Sequence, residues 1–254
     1  MKQPKTVIAL SALLTIFAAS ANATVVIFDD NGGGNIKTGS VEDATAAANT
    51  GNPNFWGPSL GFSAFNVLGG HSNNDNLNKG TFARNEIQMT NVDQDFGNHG
   101  GLGVCSYNDN CAGQDDSFES NIGGSASKDE VMFFDFDSAV MLDTIWFNGG
   151  HSEKVNGSVG VPITNTSNAL FNIFTSTDGN SYKNLFAYQV QPTDLEYIST
   201  QLTQSYQYYA VAASGYGNHE SYVEAIAYKV PEPATLALLG LGLAGLGAAR
   251  RRKA

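Results

Sequence analysis

Basic residues are scarce in this sequence: its 254 residues include 13 Lys and Arg but 24 Asp and Glu. Six of the basic residues lie in the terminal segments, so residues 24–231 hold 7 basic and 23 acidic residues, a balance of −16. A surface of this sign repels phosphate backbones and anionic membranes, which argues against a nucleic-acid partner. It suits a soluble extracellular domain, or one that binds divalent cations.

Long apolar runs are also scarce: the sequence has two, one near each end of the chain. Residues 6–19 carry no charge and follow a short basic start, but they fall short of the roughly 20 residues that a membrane span needs. Ala21 and Ala23 then supply the small residues that signal peptidase requires. The sequence therefore predicts a signal peptide over residues 1–23, cleaved after Ala23, and a mature domain over residues 24–229.

The second apolar run belongs to a C-terminal tail, residues 230–254. Val230 precedes the segment Pro-Glu-Pro, an uncharged stretch covers residues 234–249, and three Arg and one Lys follow. The two prolines cannot lie inside a helix or a central strand, so they separate the tail from the domain. The apolar stretch can form a membrane helix, and the basic cluster would keep its end on the cytoplasmic side.

This order of Pro-Glu-Pro, apolar helix and Arg-rich end resembles the PEP-CTERM sorting signal. The resemblance implies recognition by a membrane enzyme of the exosortase class in a Gram-negative bacterium that makes extracellular polysaccharide. It also implies export, transient membrane anchoring, and retention at the cell surface or in the matrix. The implied sorting residues are Pro231, Glu232, Pro233, Arg250, Arg251 and Arg252. A plain membrane anchor is the alternative, but nothing in such an anchor requires Pro-Glu-Pro.

The chain contains only two cysteines, Cys105 and Cys111, in a loop rich in Asn, Asp and Gly. Because an exported protein meets oxidising conditions, we expect them to form a disulfide that fixes the loop. A metal or redox role would favour a C-x-x-C spacing, which the sequence lacks.

Helical periodicity is almost missing between the two ends. One short helix is predicted over residues 40–49, with Ser40 as its N-cap. Alternating apolar and aromatic residues predict strands at residues 24–28, 130–136, 139–147, 169–175, 185–190, 206–213 and 222–230. Short strands separated by frequent turn signals are typical of an all-β, antiparallel β-sandwich.

Two weaker resemblances support this fold. Residues 174–182 resemble the strand, S-x-D-G turn and aromatic of discoidin-like, galactose-binding-type jelly rolls, which implies a jelly-roll-like sandwich. Residues 101–104, the acidic loop and residues 130–136 are similar to a block in other PEP-CTERM proteins of unassigned function. Asp-Gly favours hairpin turns in any fold, so neither resemblance identifies a ligand.

The acidic loop is the candidate metal site. Calcium takes six to eight oxygen ligands, and Gly-containing acidic loops supply them. The candidate ligands are Asp109, Asp115, Asp116 and Glu130, although the spacing of a known calcium loop is absent. The alternative is a solvated acidic loop without an ion.

Three further residues are candidate ligand contacts. His151 and His219 follow or flank strong strands, so they could meet at one end of the sandwich and bind zinc or act as acid and base. No motif spacing supports this role, and loop histidines are common. Trp56 could stack on a sugar ring.

Taken together, these features predict a non-enzymatic, exported β-sandwich with a structural or binding role. Its predicted partners are the export machinery, an exosortase-class enzyme and extracellular polysaccharide, and calcium is its candidate ion. The alternative is a secreted metal-dependent or carboxylate hydrolase of glycans. No nucleophile elbow occurs in the mature domain, and no carboxylate pair is marked by its spacing as a glycosidase pair.

Overall fold

The computed structural model describes residues 23–28, 40–43, 54–72, 77, 80–95, 101–105, 118–120, 129–149, 170–189, 196–199, 202–214, 219–231, 242 and 245. Contacts divide the chain into two units. One is Ala23–Val230, and the other combines Met1–Asn22 with Pro231–Ala254. The strands lie in the first unit. Of the predicted tail helix, the structure describes Gly242 and Gly245, which are helical and exposed.

The described part of Ala23–Val230 consists of β-strands and short connections, among them the 3₁₀ turn Arg84–Glu86 and the 3₁₀ residue Leu77. Its strands are β1 Thr24–Ile27, β2 Ser40–Asp43, β3 Asn54–Gly57, β4 Leu60–Gly61, β5 Phe65–Ser72, β6 Thr81–Ala83, β7 Ile87–Thr90, β8 Val92–Asp95, β9 Gly101–Val104, β10 Phe118–Ser120, β11 Glu130–Gly149, β12 Leu170–Ser176, β13 Ser181–Gln189, β14 Glu196–Ser199, β15 Tyr206–Ser214 and β16 His219–Lys229.

The long strand β11 belongs to both sheets of the sandwich. Its first half lies between β5 and β15 in sheet B, which continues through β12 and β13 to β6. Its second half lies between β14 and β16 in sheet A, which continues through β9 and β8 to β3. The register shifts between Asp135 and Val140, where the exposed residues 137–139 let the strand pass from one sheet to the other. The two predicted strands, 130–136 and 139–147, are therefore halves of one strand.

Residues of both sheets form the main core, and β11 is buried on both of its faces. Met132, Phe134 and Phe136 belong to the main core. Val131 and Phe133 belong to a second cluster that includes Phe82, Phe174 and Tyr182 on the other face of sheet B. A strand buried on both faces reads as a continuous apolar run, which explains the four successive apolar residues 131–134.

The predicted antiparallel β-sandwich is confirmed, and each strand pairing but one is antiparallel among the described residues. The exception is β2, which runs parallel to β1 with Ser40 opposite Thr24. The predicted helix at residues 40–49 is therefore wrong at its start, since residues 40–43 form a strand. The capping signal at Ser40 is local, and pairing with the edge of β1 outweighs such weak preferences.

The first and last strands leave the sandwich at the same end. Thr24 at the start of β1 lies opposite Tyr228 near the end of β16, and Leu142, just after the bend of β11, also lies opposite Tyr228. We call this the tail end. The opposite end, called the loop end, holds the end of β5, the start of β11 and the start of β16.

Candidate functional sites

A group of buried polar residues lies at the loop end: His71, Ser72, Asp129 and Glu130 are each at most 1% exposed. Glu130 lies opposite His71 across β11 and β5, and the Ser72 amide donates to the Asp129 carbonyl oxygen at 2.9 Å. Buried polar groups persist when they are hydrogen-bonded, so these residues hold the end of β5 against the start of β11. Glu130, a candidate calcium ligand, is thus a strand residue next to a buried imidazole.

The other candidate calcium ligands, Asp109, Asp115 and Asp116, lie outside the described residues. Within the described ranges, no three His, Cys, Asp or Glu side chains are grouped so as to hold a metal ion. The predicted calcium site therefore stays a prediction.

One pairing at the loop end places two acidic positions directly opposite each other. In the ladder of β10 and β16, Glu119 is opposite Glu220 and Ser120 is opposite His219.

The structure separates two of the predicted ligand residues. His219 begins β16, whereas Trp56 lies in β3 opposite Asp93. Two strands, β8 and β9, lie between β3 and β16, so these strands are about 14 Å apart at three strand spacings. His151 lies outside the described residues. The ladder of β11 and β16 ends with Gly149 opposite Ser221, two residues from each of the two histidines.

Cys105 is completely buried at the end of β9. Its amide donates to the Asn91 carbonyl oxygen at 3.0 Å, and its own carbonyl accepts from the Thr90 hydroxyl at 3.2 Å. The described part of the chain contains no free cysteine. Cys111 lies outside it, so the pairing of the two cysteines remains a prediction.

A charged cluster not expected from the sequence lies on the outer face of sheet B. Arg84 Nη1 donates to Asp135 Oδ2 at 2.9 Å and to the Gly179 carbonyl oxygen at 3.4 Å. Its guanidinium carbon is 4.6 Å from the centre of the Phe133 ring, which adds a cation–π contact. Burial raises the pKa of Asp135 above its usual range, and the nearby Arg84 offsets only part of that effect. The ion pair therefore costs desolvation as well as providing attraction.

Two oxygens beside this ion pair accept or donate no hydrogen bond within the described part of the chain. They are Asp135 Oδ1 and the Tyr182 hydroxyl, and both are buried. The Tyr182 ring stacks on Phe82 with centroids 5.0 Å apart, and burial raises the pKa of its phenol above its usual range. Buried polar atoms of this kind usually meet a protein group or an ordered water.

The S-x-D-G turn predicted at residues 176–179 is confirmed. Asp178 Oδ1 accepts from the Asn180 and Ser181 amides at 2.8 and 2.9 Å, and these bonds lower the pKa of Asp178. Gly179 has φ +72°, which a side chain rarely adopts, and a Cβ there would lie 3.2 Å from the Tyr208 ring. The turn aims the Gly179 carbonyl at Arg84, so it supports the cluster and needs no ligand to explain it.

At the tail end, the last strand stays paired up to the residue before Val230. The ladder of β16 with β11 continues to Lys229 opposite Met141, and Lys229 Nζ is 2.5 Å from Asp143 Oδ1. Val230 is 46% exposed, and Pro231, which has no amide proton to donate to a ladder, is exposed. The next predicted sorting residues, from Glu232 to Arg252, lie outside the described residues, as does Ala21. Ala23 is half-buried beside β1.

Residues 229–253 match the PEP-CTERM protein-sorting motif. The match begins at Lys229, the last residue of β16, so the sorting motif follows the sandwich without a spacer. A motif of this kind implies an exported protein of the cell envelope of a Gram-negative bacterium, sorted by an exosortase. The described residues contain no helix long and apolar enough to cross a membrane.

One solved structure that resembles this chain is the CBM32 of AlyQ in complex with 4,5-unsaturated mannuronic acid. The identity is 18%, the similarity covers 41% of this chain and 71% of that chain, and the TM-score is 0.24. A likeness at this level says nothing about the ligand of this chain. No curated protein matches the sequence significantly.

The sequence contained one signal for the Arg84 cluster. Asp135 is a charged residue inside a strand that otherwise alternates between two apolar faces, and a buried acid needs a partner. Few basic residues were available, but nothing in the local sequence distinguishes Arg84 from the others. The pairing of His71 with Glu130 gave no signal in the sequence, because it depends on the register of β5 and β11.

Proposed function

We propose that this chain is an exported cell-surface protein whose β-sandwich has a binding or structural role in the extracellular polysaccharide, and that an exosortase-class enzyme handles its tail. The observation that carries the proposal is the sorting motif at residues 229–253, joined directly to the last strand of a sandwich. A sorting signal of this kind matters only for a domain that works outside the cytoplasm. The acidic balance of residues 24–231 is compatible with a soluble extracellular domain.

Three of the described carboxylates are already engaged in contacts within the sandwich. Asp135 is held by Arg84, Glu130 is completely buried opposite His71, and Asp178 is used by its own turn. None of these three acids is arranged with another for acid and base catalysis. We propose a binding role, with Trp56 and the loop end carrying His219 as the positions to test.

Sorting is tested in a Gram-negative host that encodes an exosortase. Replacing Pro231 and Pro233 by Ala should cause loss of tail processing and of surface exposure, measured by the mass of the chain and by protease digestion of intact cells. Thr235→Ser, a small change inside the same tail, is the matched control. Normal processing of the double variant would contradict the proposal.

Binding is tested with the host's own purified extracellular polysaccharide, by co-sedimentation with the full chain in mild detergent. Trp56→Ala should weaken co-sedimentation, since stacking of a ring on a sugar is lost. Met89→Ala removes an apolar side chain that is 43% exposed and should change nothing. Release of new reducing ends during the incubation would instead favour a hydrolase.

A further inference from the structure

Both terminal segments leave the sandwich at the tail end. Thr24, the first residue after the predicted signal peptide, lies opposite Tyr228, and the ladder of β16 with β11 ends one residue later. Tyr228 is 2% exposed and contacts the rings of Phe65 and Phe136 at 6.1 and 5.0 Å. The core therefore holds β16 in place almost to its last residue, and fraying cannot lengthen the link to the tail by more than a residue or two.

The link between the sandwich and the apolar tail is short. From Lys229 to Ala234, where the uncharged stretch begins, the chain advances five residues, which span at most about 18 Å when fully extended. A headgroup layer takes up about 5 to 8 Å of that distance. While the tail lies in a membrane, the tail end of the sandwich is therefore within about 10 to 13 Å of the lipid surface.

The tail end also carries the side chains that suit such a surface. Tyr206 lies opposite Val140 on the bend of β11, and the Phe62 ring stacks at 4.9 Å on Phe65, whose ring contacts Tyr228; both are only partly buried against the main core. Val230 is one of two large apolar residues that are well exposed among the described ones. We call Phe62, Tyr206 and Val230 the apolar rim. Apolar and aromatic groups of this kind favour the interface between lipid and water.

Charge does not oppose the contact at this end as it does for the domain as a whole. Lys229 forms an ion pair with Asp143. On the adjacent bend of β11, the other charged residue among those described is Asp137. The strand β10, which carries Glu119, joins the sandwich at the loop end. The two acids of β2, Glu42 and Asp43, lie two and three residues along the strand from the tail end, opposite Val26 and Ile27.

We propose that the apolar rim rests on the lipid surface while the tail is inserted, and that this contact directs the loop end away from the membrane. The inference rests on the proposed function, because it requires the tail to enter a membrane. It deepens that function by giving the domain an orientation. The polar loop end, with His219 and the start of β11, then points toward the extracellular matrix.

The test uses the full chain reconstituted in phosphatidylcholine vesicles that contain a lipid with a nitroxide at the headgroup. Tyr206→Trp introduces a fluorophore at the apolar rim, and the difference from the parent chain removes the signal of Trp56 and Trp146. Met89→Trp is the matched control. Met89 is 43% exposed opposite Gly70, five residues along β5 from Phe65 and thus about 17 Å from the tail end.

We expect the nitroxide to quench the added Trp in Tyr206→Trp and to leave the added Trp in Met89→Trp unquenched. A flexible insertion of 12 Gly and Ser residues between Val230 and Pro231 has an end-to-end distance of about 20 Å, and it should abolish the difference. Equal quenching of both variants, or quenching that persists with the insertion, would refute the inference.

The outcomes also separate this inference from the proposed function. If the chain floats with the vesicles but Tyr206→Trp is not quenched, the tail is inserted and only the contact of the apolar rim is wrong. That result would be expected if a protein such as the sorting enzyme occupied this surface. If the chain does not float with the vesicles, the tail has not entered the membrane and this inference fails, whereas the proposed function is still decided by tail processing and by co-sedimentation with polysaccharide.

Discussion

The Tyr209 phenol of β15 is hydrogen-bonded to β11 just after its bend from one sheet to the other. The Tyr209 hydroxyl donates to the Val140 carbonyl oxygen at 2.6 Å and accepts from the Leu142 amide at 3.2 Å. Tyr209 is completely buried, and burial raises the pKa of its phenol to about 12. The hydroxyl therefore stays protonated at any physiological pH and keeps both bonds across the bend.

Tyr209→Phe removes both bonds and changes little else, because the ring stays in the main core. Leaving a buried carbonyl and a buried amide without this partner costs about 1 to 3 kcal/mol. For a domain of this size, 1 kcal/mol lowers the melting temperature by about 2 to 4 °C. At about 2 kcal/mol, we expect the melting temperature to fall by about 4 to 8 °C.

The assay is thermal unfolding of the full chain in mild detergent, followed by circular dichroism. Tyr206→Phe is the matched control, since the Tyr206 hydroxyl donates to exposed Gln204 at 2.8 Å and water can replace that bond. The control should shift the melting temperature by about 1 °C or less. Equal melting temperatures for the two variants would show that the phenol does not hold the bend.

Three further predictions concern backbone space, titration and metal. Gly101 has φ +144°, and a Cβ there would lie 2.6 Å from the Val223 carbonyl oxygen. Gly101→Ala should therefore lower the unfolding free energy, measured by denaturant titration, by more than about 1 kcal/mol. Gly80→Ala is the control, since a Cβ there would have no described atom within 4 Å, and it should not lower the unfolding free energy by that amount. The raised pKa of Asp135 gives stability that is present below its ordinary value of 3.8 and lost as pH rises, and the lowered pKa of Asp178 gives stability that is lost as pH falls. As pH rises from about 2 to 6, the melting temperature of Asp135→Asn should rise relative to that of the parent chain, and that of Asp178→Asn should fall relative to it. Melting-temperature curves that run parallel to the parent curve would contradict both predictions. Calcium at about 100 times its dissociation constant should add about 2.7 kcal/mol of stability, which a chelator should remove. This gain should vanish when Asp115 and Asp116 are replaced by Asn, but persist in the control Asp137→Asn. The absence of any calcium-dependent change in stability would refute the ion site.

The strands of the second half were predictable because their signal is local. Alternating apolar and aromatic residues mark β11, β15 and β16, and the S-x-D-G turn marks the hairpin of β12 and β13. The continuity of β11 was not predictable, since exposed residues 137–139 look like a loop. A contact just after this bend comes from Tyr209, which lies 69 residues from Val140 in the sequence.

The candidate sites illustrate the same limit. The sorting motif is a continuous segment, so the sequence alone suggested it and the family comparison confirmed it. The Arg84 cluster joins residues 51 positions apart, and the pairing of His71 with Glu130 requires the register of two strands. A single sequence contains neither relation, because both arise from long-range packing.

The position of β16 connects the fold to sorting. This strand is hydrogen-bonded to β11 on one side and to β1, β9 and β10 on the other, so sheet A cannot be completed before the last strand of the domain is available. The sorting motif begins at the final residue of that strand. A chain that presents the motif in an extended form beyond Val230 has therefore already supplied every strand that sheet A needs. Removal of the tail after Val230 leaves each of these pairings intact, whereas a cut a few residues earlier would take Tyr228 and Ile226 out of the main core.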